Sequence, residues 1–143
     1  VISECNFHCN IINAFGENLP FLDETFDIVY VRQGLHHAHD LNLMLTEFSR
    51  VLKKKGLLIA CREHVVDNKG KSLQRFLANQ IDHQYYGGEN AFLLKEYCNA
   101  INNTGLKIIN KIGPLDSPIN LHPYSIEQLK DKINECVEIW NLS

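Results

Sequence analysis

The chain has 143 residues, 45% hydrophobic and 22% charged, with a formal net charge of -3; this is the profile of one soluble globular domain able to bury a core. The 14 basic residues are outnumbered by 17 acidic ones, and no like-charge run exceeds Lys53-Lys54-Lys55, which argues against a nucleic-acid partner. No apolar stretch approaches the roughly 20 residues of a membrane helix, and five scattered cysteines (Cys5, Cys9, Cys61, Cys98, Cys136) without a signal peptide fit reduced thiols in a cytoplasmic protein.

The chain opens at Val1 without a helix or strand start signal and reads as beginning mid-domain. Cys9–Phe15 reads as a short strand, followed by a Gly- and Pro-punctuated loop, Gly16–Pro20. Phe26–Val31 is apolar and β-branched without alternation, the pattern of a parallel strand covered on both faces. Asp40 caps a helix running to about Leu52, with Leu41, Met44, Leu45, Phe48, Val51 and Leu52 on one face. Three lysines end that helix and Gly56 stops it. Gly56–Cys61 is the next buried strand, predicted to pair in parallel with Phe26–Val31. Leu73, Phe76, Leu77 and Ile81 mark a second helix; Leu94, Tyr97, Cys98 and Ile101 mark a third, stopped by Gly105. Leu106–Ile112 reads as a strand ended by Gly113-Pro114. Ser125 with Gln128 forms a capping box for a last helix bearing Ile126, Leu129, Ile133, Val137 and Trp140. Strands separated by helices give an α/β domain with a mostly parallel sheet.

The stretch from Leu19 to Ala60 carries ordered motifs. Leu19-Pro20-Phe21 and Phe26-Asp27 are followed by Gly34-Leu35-His36-His37, then by Glu47 and Arg50-Val51-Leu52-Lys53 leading to Gly56. At these spacings the chain resembles the class I S-adenosylmethionine-dependent methyltransferases of the small-molecule type. Gly88–Phe92, Glu96-Tyr97 and Thr104-Gly105-Leu106 agree more loosely. The resemblance implies a Rossmann-like sheet flanked by helices, entered at its third strand, so that residues 1–143 form a single, N-terminally truncated methyltransferase domain.

It also implies where ligands sit. In open α/β sheets they lie at the carboxyl ends of strands. The family's adenine loop falls on Phe15, Gly16 and Glu17, and the loop under the methionine part begins at Arg32 and Gln33. Phe15 stands where the family carries an acidic residue; it can stack on adenine but cannot accept from its amino group. The chain contains no Gly-x-Gly pattern, so it is expected to bind S-adenosylmethionine weakly or not at all and to be inactive as this fragment alone. His36 and His37 are the candidates for the acceptor pocket. Glu63 and His64, together with His83 and Tyr86 from the polar-aromatic segment 82–90, are candidate substrate contacts. Each also has a plain structural reading: hydrogen bonding for the histidines, solvent exposure at the sheet's end for Arg32 and Gln33, a surface connection for 82–90.

No cysteine or carboxylate completes a zinc spacing with His36, His37 and His39, so no metal is expected. Glu47 and Arg50, three apart, suggest a structural ion pair. The expected activity is methyl transfer to a small-molecule or carbohydrate-like acceptor. The alternative is a non-catalytic methyltransferase-like module serving in protein association. An apolar strand left at a sheet edge would favour a homodimer.

Overall fold

The computed structural model describes residues 9–86, 88–113, 116 and 123–131. It divides into two compact units, Val1–Ile108 and Ile109–Ser143.

The first unit is built on two parallel strands, β1 (Phe26–Arg32) and β2 (Leu52–Cys61), joined through helix α1 (Leu41–Val51). The predicted neighbours thus do pair, with Ile28 opposite Leu57 and Tyr30 opposite Ile59. Asp40 caps α1 as its sequence position predicts: its Oδ1 accepts from the Leu43 amide at 3.0 Å. The helical face read from spacing is the core. Leu41, Met44, Leu45, Phe48 and Val51 are all buried, the first four in one cluster with Tyr97 and Ala100 of α4 (Leu94–Asn103). Val29, Val31 and Leu58 bring one face of the sheet onto this cluster. The remainder is β3 (Val65–Val66) paired in parallel with β4 (Phe92–Leu93), and two short helices, α2 (Lys71–Ala78) and α3 (Ile81–Tyr86).

Several expectations are corrected. Cys9–Phe15 is not a strand; it contributes only an isolated bridge from Phe15 to Asn18, and Ile11, Ile12 and Phe15 are exposed. Leu106–Ile112 also forms no strand, and Ile109 and Ile112 face outward. Both runs have strand composition, but a strand also needs a neighbour to take its backbone hydrogen bonds. The three lysines do not end α1 but open β2, where the register shift between Phe26 and Ile28 absorbs them. Gly56 is accordingly not a helix stop. A Cβ there would meet the Lys53 carbonyl oxygen at 2.9 Å and that of Asp27 at 3.1 Å, a close backbone approach only glycine permits. The single helix expected around Leu73–Ile81 is broken at Asn79-Gln80 into α2 and α3. Finally, β1 is covered on one face only: among the described residues, Ile28 and Tyr30 are 57% and 60% exposed.

In the second unit, the Ser125–Gln128 capping box is present. The Ser125 amide donates to Gln128 Oε1 at 2.8 Å and the Gln128 amide to Ser125 Oγ at 3.2 Å, opening a helical turn at 126–131. Ile133, Val137 and Trp140 lie outside the described residues, as does Cys5. No helix among the described residues is long and apolar enough to cross a membrane.

Candidate functional site

Both parallel strands end in the same way. β1 leaves through Gln33 with φ 52° and β2 through Arg62 with φ 58°, left-handed conformations that a side chain rarely adopts. The Gln33 amide still donates to the Cys61 carbonyl at 3.0 Å, so the ladder holds until both chains turn off its carboxyl edge. Such local strain persists only where surrounding contacts fix it. Here the fixing group is Glu63. Its Oε1 accepts from the Gly34 amide at 3.1 Å, and its Oε2 accepts from the His36 amide at 3.2 Å and lies 2.8 Å from His36 Nδ1. The carboxylate after β2 therefore clasps the 3-10 turn Leu35–His37 that follows β1.

Around this clasp lie three imidazoles and a second carboxylate. His36 is 1% exposed and its ring stacks on His64 with centroids 3.9 Å apart; the His37 ring lies 4.2 Å away on a tilt. Glu89, from the segment before β4, comes to 3.7 Å from His36 Nε2, 3.6 Å from His37 Nε2 and 3.6 Å from His64 Nδ1. Glu89 Oε2 and His64 Nδ1 are buried without a hydrogen-bond partner. His64 is pinned through its carbonyl, which accepts from the Tyr97 hydroxyl at 3.0 Å and from the Phe92 amide at 3.3 Å. Burial, reinforced by the neighbouring His36, holds the His64 imidazole below its ordinary pKa, while burial raises that of the Tyr97 phenol.

The other expected residues fall as follows. Phe15 is 78% exposed at the tip of its loop, and Arg32 and Gln33 are exposed at the end of β1. Gly16 lies against α1, where a Cβ would meet Met44 Cε at 2.6 Å. Glu17 Oε1 accepts from the His39 amide at 2.8 Å, tying the same loop to the start of α1. His83 lies in α3 with its Nδ1 buried and unpartnered; Tyr86 is the last residue of α3, and its side chain is outside the described set. Asp27, at the start of the Phe26–Arg32 strand, pairs with Lys53 at 2.9 Å.

The predicted Glu47–Arg50 pair is a hub rather than a lone ion pair. Arg50 Nε and Nη2 reach the two Glu47 oxygens at 2.7 Å each. Nη2 also donates to the Leu19 carbonyl and Nη1 to Phe21 O and Asp23 Oδ1, while Glu47 accepts from the Leu19 amide. Arg50 and the Leu19 amide together lower the Glu47 pKa to about 2. The Leu-Pro-Phe loop and the Glu-x-x-Arg helix motif are thus two halves of one contact. Sequence reasoning missed the role of Glu89. Its place in a polar-aromatic segment was a signal, but nothing local links it to His36 and His37.

Comparisons with known proteins agree with this architecture. A family model described as a methyltransferase domain matches residues 2–60. The uncharacterised Escherichia coli protein YafE is 49% identical over 46 residues, covering 32% of this chain and 22% of YafE. The ubiquinone/menaquinone biosynthesis C-methyltransferase UbiE of Campylobacter jejuni strain 81-176 is 27% identical over 124 residues, covering 69% of this chain and 49% of UbiE. A solved structure described as a candidate methyltransferase of Bacillus halodurans C-125 superposes with a TM-score of 0.58 at 26% identity, covering 71% of this chain and 44% of that one. The chain therefore spans half or less of the length of these relatives.

Proposed function

Because the chain belongs to the class I S-adenosylmethionine-dependent methyltransferase family, we propose that residues 1–143 carry the adenine loop and the acceptor side of a domain that methylates a small-molecule or carbohydrate-like acceptor. The observation that carries this reading is the convergence at one sheet edge. The exposed Arg32 and Gln33, the 3-10 turn with His36 and His37, and the Glu63–His64 segment all leave the carboxyl ends of β1 and β2. That is where an open parallel sheet takes its ligand.

The donor set suits the family's cofactor: Phe15 offers an exposed ring for an adenine to stack on, and Arg32 and Gln33 offer exposed polar groups for its amino-acid end. When bound, S-adenosylmethionine supplies a methyl group already activated on a sulfonium, so the protein's work is alignment and exclusion of water. Gly16 lets the adenine loop approach α1 closely, and Glu17 ties it to the His39 amide. On the acceptor side, His36 and His37 stand beside the carboxylates of Glu63 and Glu89, polar groups that orient an acceptor hydroxyl or amine toward the methyl group.

Calorimetric titration of the chain with S-adenosylmethionine tests this. A saturable interaction is expected, weaker than a dissociation constant of about 10 μM, or about −7 kcal/mol, because the sequence has no Gly-x-Gly turn. Phe15→Ala should weaken it further. No saturable binding up to millimolar concentration would contradict the cofactor assignment; tighter binding would show that these loops suffice alone. A second reading, a module that serves in association, draws on the half-covered sheet and is tested below by its mass in solution.

A further inference from the structure

We propose that His36, His37 and Glu89 form a binding site for a divalent transition-metal ion of the zinc type, with Glu63 as the outer carboxylate that orients His36. The proposal stands whether or not the neighbouring edge takes a methyl donor.

Hydrogen bonds fix the tautomer of both rings. His36 Nδ1 lies 2.8 Å from Glu63 Oε2, and His37 Nδ1 lies 3.3 Å from the carbonyl oxygen of Gly88. A carboxylate and a carbonyl can only accept, so in both rings Nδ1 carries the proton. In the neutral rings Nε2 is then left with a lone pair. Both lone-pair atoms approach the same carboxylate: His36 Nε2 lies 3.7 Å from Glu89 Oε2, and His37 Nε2 lies 3.6 Å from Glu89 Oε1. Neither separation is a hydrogen bond. Lone pairs crowded onto a carboxylate repel each other unless a cation lies between them.

The geometry suits such an ion. The ligand atoms of His36, His37 and Glu89 all lie within 4.8 Å of one another. Zinc bonds of about 2.0–2.1 Å in a tetrahedron separate neighbouring ligand atoms by about 3.3–3.4 Å; each imidazole stands near that distance from one of the two Glu89 oxygens, His36 Nε2 from Oε2 at 3.7 Å and His37 Nε2 from Oε1 at 3.6 Å. Glu89 Oε2 is buried with no hydrogen-bond partner, a costly arrangement for a carboxylate oxygen unless a cation compensates it. Two histidines and a glutamate are an established zinc ligand set that leaves a fourth position open. The Glu63–His36 contact has the form of the outer carboxylate that fixes the tautomer of a metal-bound histidine. His64 completes the surroundings. Its ring stacks on His36, and its unpartnered Nδ1 stands 3.6 Å from Glu89 Oε2.

Adjacent histidines at one turn gave no metal signature in the sequence because their third ligand comes from residue 89, beyond β2 and two helices.

The test is titration of the purified chain with zinc sulfate, read by calorimetry and native mass spectrometry, with cobalt(II) as the optical probe. One ion per chain is expected, with a dissociation constant below about 10 μM. Cobalt should give a tetrahedral d–d spectrum without a thiolate charge-transfer band. Glu89→Gln and His37→Ala should each weaken binding at least tenfold, and Glu63→Gln by about 10–100-fold. His39→Ala, outside the cluster, should leave binding unchanged. His37 is exposed, so its variant is expected to fold, which circular dichroism verifies for each protein. Absence of one-to-one uptake, a thiolate band, or undiminished binding in both Glu89→Gln and His37→Ala would overturn the proposal.

Discussion

Arg50 uses its guanidinium to hold a loop in shape. Its donors reach both Glu47 oxygens, Asp23 and the carbonyls of Leu19 and Phe21, and no lysine can reproduce that planar fork. Arg50→Ala would leave the Glu47 carboxylate, largely shielded from solvent, with only the Leu19 amide as a donor. The expected outcome is a lower urea midpoint at neutral pH with an unchanged denaturant slope. Glu47 sets a pH dependence of definite sign. Its folded pKa of about 2 lies below its ordinary value of 4.5. The stability it contributes is therefore complete above about pH 4.5 and is lost as pH falls toward 2. Glu47→Gln should flatten that part of the acid-unfolding profile; an unchanged profile would show that the pair does not hold the loop. The sequence showed the pair as neighbours three residues apart. It could not show the Leu19–Asp23 partners, which lie almost thirty residues away in the chain.

Helix α1 is the element on which the first unit depends. Its buried stripe follows helical periodicity, which is why its face was legible residue by residue; periodicity is a local property. Leu45, at 0% exposure, is its central contact. Leu45→Ala should cost about 2–5 kcal/mol in urea denaturation, because a cavity there cannot readily collapse between α1 and α4. A cost below 1 kcal/mol would mean that the core is not packed as described. The strands were less legible. Phe26–Arg32 and Leu52–Cys61 became strands because each has the other as partner. Cys9–Phe15 and Leu106–Ile112 have similar composition and no strand partner among the described residues, and composition cannot reveal that. β3 and β4 are two residues each, too short for any pattern to register. The histidine–glutamate cluster was half legible: His36, His37, Glu63 and His64 lie at strand ends, where an α/β sheet places its ligands. Glu89 joins them only through the tertiary fold.

At the scale of the molecule, the parallel pair exposes one apolar face. Ile28 opposite Leu57 and Tyr30 opposite Ile59 form two cross-strand pairs on that face, all four exposed among the described residues. Apolar surface of this kind, on strands whose outer edges pair with no other strand among the described residues, favours association. Light scattering at micromolar concentration should therefore report a dimer. Ile28→Lys with Ile59→Lys should return the chain to a monomer without loss of helix content. A wild-type monomer would rule out association through this face.

The ligand edge proposed for this chain is the carboxyl edge of β1 and β2. The most direct measurement is an amide-resolved NMR titration of the chain with S-adenosylhomocysteine into the millimolar range. Saturable shifts are expected, concentrated at 15–17 and 32–37, with smaller ones at 61–64 and none at the far end of the sheet around 52–55. Absent shifts, or shifts centred on α2 and the lysine end of β2, would contradict it.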